Sequence, residues 1–415
     1  MDKKTLRDVA LKGKRVLMRV DFNVPIKAGV VGDDTRIQAA LPSIRYVLDQ
    51  GGSLVLMSHL GRPKGKGYEA DFSLSPVADY LAKVLGHPVT FAPDCMDADA
   101  IVSALKPGEV VMLENTRFYK AEEGKFKPSE GMNDAEAKAG KAALKEKQKV
   151  MAQKLASYGD IYCNDAFGSA HRAHASTAVV CAYIAESVAG FLLEKEIKYL
   201  GGAVANPARP FVAILGGAKV SDKLAVVQNL LTKVDVLIIG GGMAYTFLKA
   251  QGHAIGKSLC EDEQLDYARK VLAEAESRGV RFLLPVDNIA ADKFAADAAT
   301  QTVGKDIPEG WMALDIGPDS AKLFCDAVAD AKTIVWNGPM GCFEMPAFAN
   351  GTMALAKAIA AVDCVSIIGG GDSVSAVNKS GLADRMTHIS TGGGASLEFL
   401  EGKALPGVAA LNDRV

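Results

Sequence analysis

The chain has 415 residues, 49% of them hydrophobic and 23% charged, with a formal net charge of −2. That length exceeds one ordinary hydrophobic core and predicts two domains, while the balanced charge excludes a global attraction to nucleic acid or to anionic membrane, so any anion site has to be local. Neither the start, Met1-Asp2-Lys3-Lys4-Thr5-Leu6, nor any later segment is apolar for long enough to act as a leader or a membrane span, which predicts a cytoplasmic protein with no membrane partner.

In chain order, an apolar strand over residues 16–20 runs into Arg19-Val20-Asp21-Phe22-Asn23-Val24-Pro25. Open α/β sheets bind ligands beyond the carboxyl ends of their strands, so Asp21 and Asn23 are placed to hydrogen-bond a hydroxylated substrate; the other reading is an Asx turn before proline. A helix over 36–49 and a strand over 54–57 follow, the strand ending in Ser58-His59-Leu60-Gly61-Arg62-Pro63. After a helix over 74–85, the strand 110–113 ends in Glu114-Asn115-Thr116-Arg117-Phe118. Residues 125–154, rich in Ala, Lys, Glu and Gln, read as an exposed loop entering a helix. The strand 161–163 is followed by Asn164-Asp165-Ala166-Phe167-Gly168-Ser169-Ala170-His171-Arg172-Ala173-His174. Arg or His thus appears past four strand ends, and converging guanidinium forks suit a phosphate-bearing metabolite. His171 and His174 read as anion donors, since no carboxylate or cysteine completes a metal spacing.

A helical pattern over 185–200 leads to Gly201-Gly202 and Asn206-Pro207-Ala208-Arg209-Pro210, the best domain boundary. The strand 211–215 then ends in Gly216-Gly217-Ala218-Lys219-Val220-Ser221-Asp222-Lys223, predicted to set Lys219 and Lys223 on one face of a helix's first turn, where two cations ask for a bound anion. Strand 236–239 ends in Gly240-Gly241-Gly242, and strand 365–368 in Gly369-Gly370-Gly371-Asp372-Ser373. Such glycine turns let backbone N–H groups approach phosphate. Asp372 reads either as an N-cap or as a carboxylate for Mg²⁺. Further strands are expected at 280–284, 311–315, 333–336 and 388–390, with a helix near 264–278. Gly252-His253-Ala254-Ile255-Gly256-Lys257-Ser258 is one residue short of a P-loop and follows helical text, so it reads as a loop. The seven cysteines, odd in number and without a C-x-x-C pair, read as free thiols. The fold class expected is α/β, with two doubly wound parallel-sheet, Rossmann-like domains over 1–185 and 201–402 joined by a helical hinge at 186–200. No glycine cluster fits G-x-G-x-x-G with a downstream acid, which argues against a dehydrogenase. A closing anion receptor of the periplasmic kind would need a signal peptide and has no use for Asp372.

Together these segments resemble the phosphoglycerate kinase family. The likeness rests on the residues at 19–25, on Asp-Thr-Arg-Ile at 34–37, on 58–63, 164–168 and 216–223, on Trp-Asn-Gly-Pro-Met-Gly at 336–341, on 369–373, and on Ser-Thr-Gly-Gly-Gly-Ala at 390–395. It implies phosphoryl transfer between 1,3-bisphosphoglycerate and MgADP in glycolysis and gluconeogenesis, giving 3-phosphoglycerate and MgATP. Phosphoglycerate would be held by Asp21, Asn23, Arg36, His59, Arg62, Arg117, His171 and Arg172. The nucleotide would be held by Gly217, Lys219, Lys223, Gly241, Asn337, Glu344, Gly371, Asp372 and Ser373, with Mg²⁺ on Asp372. Arg36 and Lys219 would stabilise the transition state. The resemblance further implies a monomer that closes about its hinge, with the tail 403–415 packed on the first domain. Ser169 and Ser373 stand where the family often has Thr and keep the hydroxyl, and 127–150 carries none of the family's motifs.

Overall fold

Uninterrupted apolar runs set the architecture. Strands Ser53–Met57, Val110–Leu113, Ile161–Asp165, Phe211–Leu215, Val236–Ile239 and Thr333–Asn337 are buried at every position, the signature of parallel sheets covered on both faces. The computed structural model describes residues 2–414, which divide into two units: residues up to 198 with the tail from 404, and Tyr199–Lys403.

The sheet of the first unit has six parallel strands in the order Val89–Ala92, Val110–Leu113, Ser53–Met57, Arg15–Val20, Ile161–Asp165, Glu186–Ala189. Arg15–Val20, first in sequence, is central, and the strand order reverses between it and Ile161–Asp165, a switch point of the kind that opens a ligand crevice. Helices Thr35–Asp49 and Ser75–Leu85 cover one face, burying Ile37, Ile44, Val47, Val77 and Leu81 against Val16, Met18, Leu54, Leu56 and Met112. The helical pattern expected from 185 starts later. Residues Glu186–Ala189 pair with Ile161–Asp165 as the edge strand, because Val188 is needed in the sheet's core, and the helix runs from Phe191 to Ala205. The charged segment forms the 23-residue helix Asp134–Ala156, opened by a capping box between Asn133 and Glu136. It is not wholly solvated: Leu144, Gln148, Met151, Ala152 and Leu155 are buried. In the tail, which reads as irregular, Pro406–Ala409 is a short helix. Asn164 Nδ2 donates to Gly407 O at 3.1 Å and Gly407 N to Ala170 O at 2.8 Å, so the tail supports the loop after Ile161–Asp165 from beneath.

The second unit has its six parallel strands in the order Arg281–Leu283, Val236–Ile239, Phe211–Leu215, Thr333–Asn337, Val365–Gly369, His388–Ile389. Counted along the chain this is 3-2-1-4-5-6, the dinucleotide-fold order, with its switch point between Phe211–Leu215 and Thr333–Asn337. Trp336, Phe324, Ile214 and Leu355 lie in its core. The strand expected at 311–315 belongs elsewhere: Met312–Ile316 pairs antiparallel with Asn288–Ala291, which pairs with Thr300–Val303, in a separate three-stranded sheet. Among the described residues no helix is long and apolar enough to cross a membrane.

Candidate functional site

In the first unit the strand ends deliver side chains into one basic cluster. Asp21, one residue beyond its strand, accepts an ion pair from Arg36 at 2.8 Å, in the first turn of Thr35–Asp49. A cation there opposes the helix dipole, and Asp21 offsets it. Asn23 adopts the Asx arrangement, the alternative to the substrate contact, and its amide oxygen braces the 58–63 loop. Its N–H approaches Asp21 Oδ1 at 3.4 Å in an Asx arrangement, and its Oδ1 accepts from Gly61 N–H at 2.8 Å. The 58–63 loop is held further by Asn115 Nδ2 on Leu60 O at 2.8 Å and by Arg117 Nη1 on Gly61 O at 2.9 Å. Arg117 also faces Glu123 at 3.6 Å, and burial lowers its pKa, with Arg19 adding to the effect. Arg62 is exposed and forms no hydrogen bond or ion pair among the described residues. His171 is half-buried and Arg172 exposed in the turn after Phe167–Ser169. That turn is braced by Thr177 Oγ1 on Arg172 O at 2.7 Å and by Gln148 Nε2, from the long charged helix, on Ala173 O at 3.2 Å.

Electrostatics shows that these groups gather. His59, 5% exposed, is pushed well below the ordinary histidine pKa by burial first and then by Arg19, Arg117, Arg36 and His174. His174 is pushed down to about 3 by burial and by Arg117, Arg19, Lys125 and Arg172. His174, which reads from sequence as an anion donor beside His171, joins the cluster, and Arg19 is the one member outside the predicted set. The signal of Arg19 in the sequence is a cation inside an otherwise apolar strand.

In the second unit the glycine turns after Phe211–Leu215 and Val236–Ile239 pack backbone against backbone with each other and with the turn after Thr333–Asn337, at the switch point. Gly216 N donates to Asn337 O at 3.1 Å, Gly241 N to Met340 O at 3.0 Å and Met243 N to Gly217 O at 2.9 Å. A Cβ on Gly216 would collide with Pro339 O, and one on Gly241, at φ +66°, would lie 2.7 Å from Gly217 N, so side chains are excluded by contact as well as by conformation. The lysine prediction is corrected here. Residues 216–220 are not helical, a 3-10 turn covers Ser221–Lys223, and the helix starts at Leu224, so Lys219 and Lys223 share no helix face. The glycine turn and Glu261, which accepts from Ser221 N at 3.0 Å, set this course. Lys219 is exposed, whereas Lys223 folds inward with Nζ on Gly216 O and on Asn337 O at 2.7 Å. Burial lowers Lys223 to about 8, against the opposing pull of Asp372 and Asp222.

The N-cap of helix Gly371–Ser380 is Gly370, at φ +85°, and Asp372 makes no capping bond, which corrects that alternative. Asp372 and Gly371 are exposed. Ser373 is buried and its Oγ accepts from Gly338 N at 2.5 Å. Asn337 is buried with Nδ2 unpartnered among the described residues, close to the Gly370 backbone. Beside these turns lies a cleft of about 780 Å³ lined by Gly217, Gly241, Leu259, Phe294, Met345, Glu344 and Asp372, among others. Its mostly apolar wall suits a flat base, and its glycine rim suits phosphate. No group of three His, Cys, Asp or Glu side chains that could hold a metal occurs among the described residues.

Comparison with known proteins matches residues 6–403 to the family model described as phosphoglycerate kinase. Proteins named phosphoglycerate kinase from Moorella thermoacetica and Chloroherpeton thalassium are 57% and 56% identical, with 100% of both chains covered in each case. The solved structure of phosphoglycerate kinase from Coxiella burnetii superposes with a TM-score of 0.87 at 42% identity over 98% of both chains. With its strand orders, its paired basic and glycine-lined strand ends and this end-to-end likeness, the chain belongs to the phosphoglycerate kinase family.

Proposed function

We propose that the chain catalyses reversible, magnesium-dependent phosphoryl transfer between 1,3-bisphosphoglycerate and ADP, giving 3-phosphoglycerate and ATP. Enzymes of this family are phosphotransferases with a carboxyl group as acceptor. The observation that carries the reading is a division of labour. One unit gathers Arg36, His59, Arg117, Arg172 and His174 beyond its strand ends, and the other frames an apolar cleft with glycine turns at its switch point. The first suits a small doubly anionic acid, the second a nucleoside polyphosphate.

The acceptor in ATP consumption is a carboxylate, already ionised at neutral pH, so the site needs no general base. It needs positioning and charge neutralisation on the transferring group. In this reading Asp21, Asn23, His59, Arg62, Arg117, His171 and Arg172 orient the phosphoglycerate. Gly217, Gly241, Gly371 and Ser373 shape the phosphate turns, and Asn337 and Glu344 serve the nucleoside side. Lys223, anchored on two carbonyls, fixes the phosphate turn, while exposed Lys219 is free to follow the moving group. Arg36, 38% exposed and paired with Asp21, supplies positive charge to the same group from the other unit. Asp372 is a single exposed carboxylate whose charge reaches Lys223. One carboxylate fits Mg²⁺ that arrives on the nucleotide, because this ion keeps waters and phosphate oxygens as its other ligands. The ion would supply charge neutralisation on the phosphate oxygens.

A coupled assay with 3-phosphoglycerate and MgATP tests the reading. Turnover should require magnesium, and Arg36→Ala and Lys219→Ala should each lower kcat by about 10³ to 10⁵, the range of an arginine finger. A loss below about tenfold in both would remove the transition-state assignment. No turnover with nucleotide still bound would remove the reaction.

A further inference from the structure

Arg19 is fully buried in the strand Arg15–Val20, and its guanidinium meets only uncharged acceptors. Nε donates to Ser176 Oγ at 2.8 Å, Nη1 to Val20 O at 2.5 Å, and Nη2 lies 3.0 Å from His59 Nδ1. No carboxylate touches it among the described residues. The compensating charge sits one hydroxyl away. Ser176 Oγ accepts from Arg19 and donates to Glu122, a buried carboxylate that also accepts from Ser176 N at 3.0 Å and from Thr116 Oγ1 at 3.1 Å. Gln148 Nε2 holds the backbone carbonyl of Glu122 at 3.1 Å. The result is a buried chain, Glu122 to Ser176 to Arg19 to His59, with every link satisfied.

This chain decides which nitrogen of His59 carries the proton. A guanidinium has donors only and is not deprotonated in proteins. The nitrogen facing it is therefore the acceptor, so the ring is neutral and protonated on Nε2. The surroundings act in the same direction: Arg19, Arg117, Arg36 and His174 all oppose a positive imidazole. The backbone is fixed too, since Ser58 Oγ accepts from Phe22 N at 2.9 Å and donates to His59 O at 3.1 Å. His59 Nε2 itself makes no hydrogen bond with any described residue.

We propose that Arg19 is a positioning residue which, held by Ser176 and Glu122, fixes His59 as the neutral Nε2–H tautomer and thereby dedicates the free nitrogen to donating a hydrogen bond to an oxygen of the bound phosphoglycerate. The assignment of the ligand rests on the proposed function; the tautomer does not. A neutral donor of fixed direction gives orientation without the desolvation cost of another buried cation.

Nitrogen-15 NMR of the full chain labelled at histidine, with His59 assigned through His59→Gln, reads the tautomer directly. In the unsubstituted protein His59 should show an unprotonated Nδ1 and a protonated Nε2, unchanged between about pH 5 and pH 8. In Arg19→Gln the amide can offer Nδ1 either a donor or an acceptor, so the two nitrogen shifts should move towards each other. The KM for 3-phosphoglycerate should rise about tenfold, as for one lost hydrogen bond, with the KM for ATP unchanged. If Arg19→Gln does not fold, Ser176→Ala removes the acceptor that orients the guanidinium, so that Nη2 leaves Nδ1 part of the time and the same averaging should appear to a smaller extent. A proton on Nδ1 of the unsubstituted protein, ordinary titration of His59, or unchanged nitrogen shifts in the folded variant would overturn the proposal. Because the spectrum needs no substrate, failure to bind 3-phosphoglycerate would strike the proposed function while leaving the tautomer result standing.

Discussion

Lys223 is the cation whose charge is most easily changed near neutral pH. Its Nζ is spent on the Gly216 and Asn337 carbonyls, and burial brings its pKa to about 8. Above that value the amine is neutral and attracts phosphate weakly; a bound polyphosphate favours the charged form and raises the pKa again. Nucleotide affinity should therefore be flat below about pH 8 and fall about tenfold per pH unit well above it, the proportionality expected when binding selects the protonated form. Calorimetric titrations with ADP on either side of that value check this, and in Lys223→Met the slope should vanish while the affinity at low pH drops. An equal slope in both proteins would place the titration elsewhere. At this scale the sequence disclosed the residues that follow strand ends, because chain position alone puts them at the crevice. Arg19 was hidden: a cation inside an apolar strand points inward or outward according to its neighbours' packing, and the partners that settle the matter, Ser176 and Glu122, lie more than a hundred residues away.

Among the secondary-structure elements, the helix Phe191–Ala205 begins on a buried acid. Asp165 Oδ1 accepts from Leu192 N at 2.9 Å and Leu193 N at 3.2 Å, a cap supplied from another element. Burial outweighs these bonds and raises Asp165 to about 7. A carboxyl raised in the fold favours the native state below its unfolded pKa, and that contribution is lost as pH climbs through about 7. Over the full range it amounts to at most about 4 kcal/mol. The thermal midpoint, followed by circular dichroism, should thus fall between about pH 5 and pH 8 more steeply in the unsubstituted protein than in Asp165→Asn, where nothing titrates. Parallel curves would mean that Asp165 is ionised throughout. Element types were legible wherever an apolar run was continuous, since only a doubly covered parallel sheet buries every position. Elements that depend on a distant partner were not legible. Glu186–Ala189 reads as the start of a helix until Ile161–Asp165 is beside it, and Asn288–Ala291 and Thr300–Val303 have too few large apolar residues to announce an antiparallel pair. The lysines at 219 and 223 have helical spacing, but Gly217 at φ +121° takes the chain out of a helix first.

For the molecule as a whole, the groups proposed to act on one phosphoryl group, Arg36 and Lys219, belong to different units. In-line transfer requires reacting atoms about 3 to 3.5 Å apart. An acyl phosphate must also be kept from water while it is formed. Both requirements are met if the two units close on each other only when each holds its ligand, with the chain between them, helix Phe191–Ala205, taking up the change. Differential binding is what drives such a step: a ligand favours closure only by contacts it gains in the closed state, so one substrate alone, touching one unit, should close the protein little. Small-angle scattering separates the cases. The radius of gyration should stay near the ligand-free value with 3-phosphoglycerate alone or with nucleotide alone, and decrease when both are present. Removing the positive charge at Lys219 should weaken the decrease, because that contact forms on closure. Equal compactness in all four states would mean that the reactants meet without domain movement, and Arg36 and Lys219 would then have to act on the phosphoryl group from fixed positions.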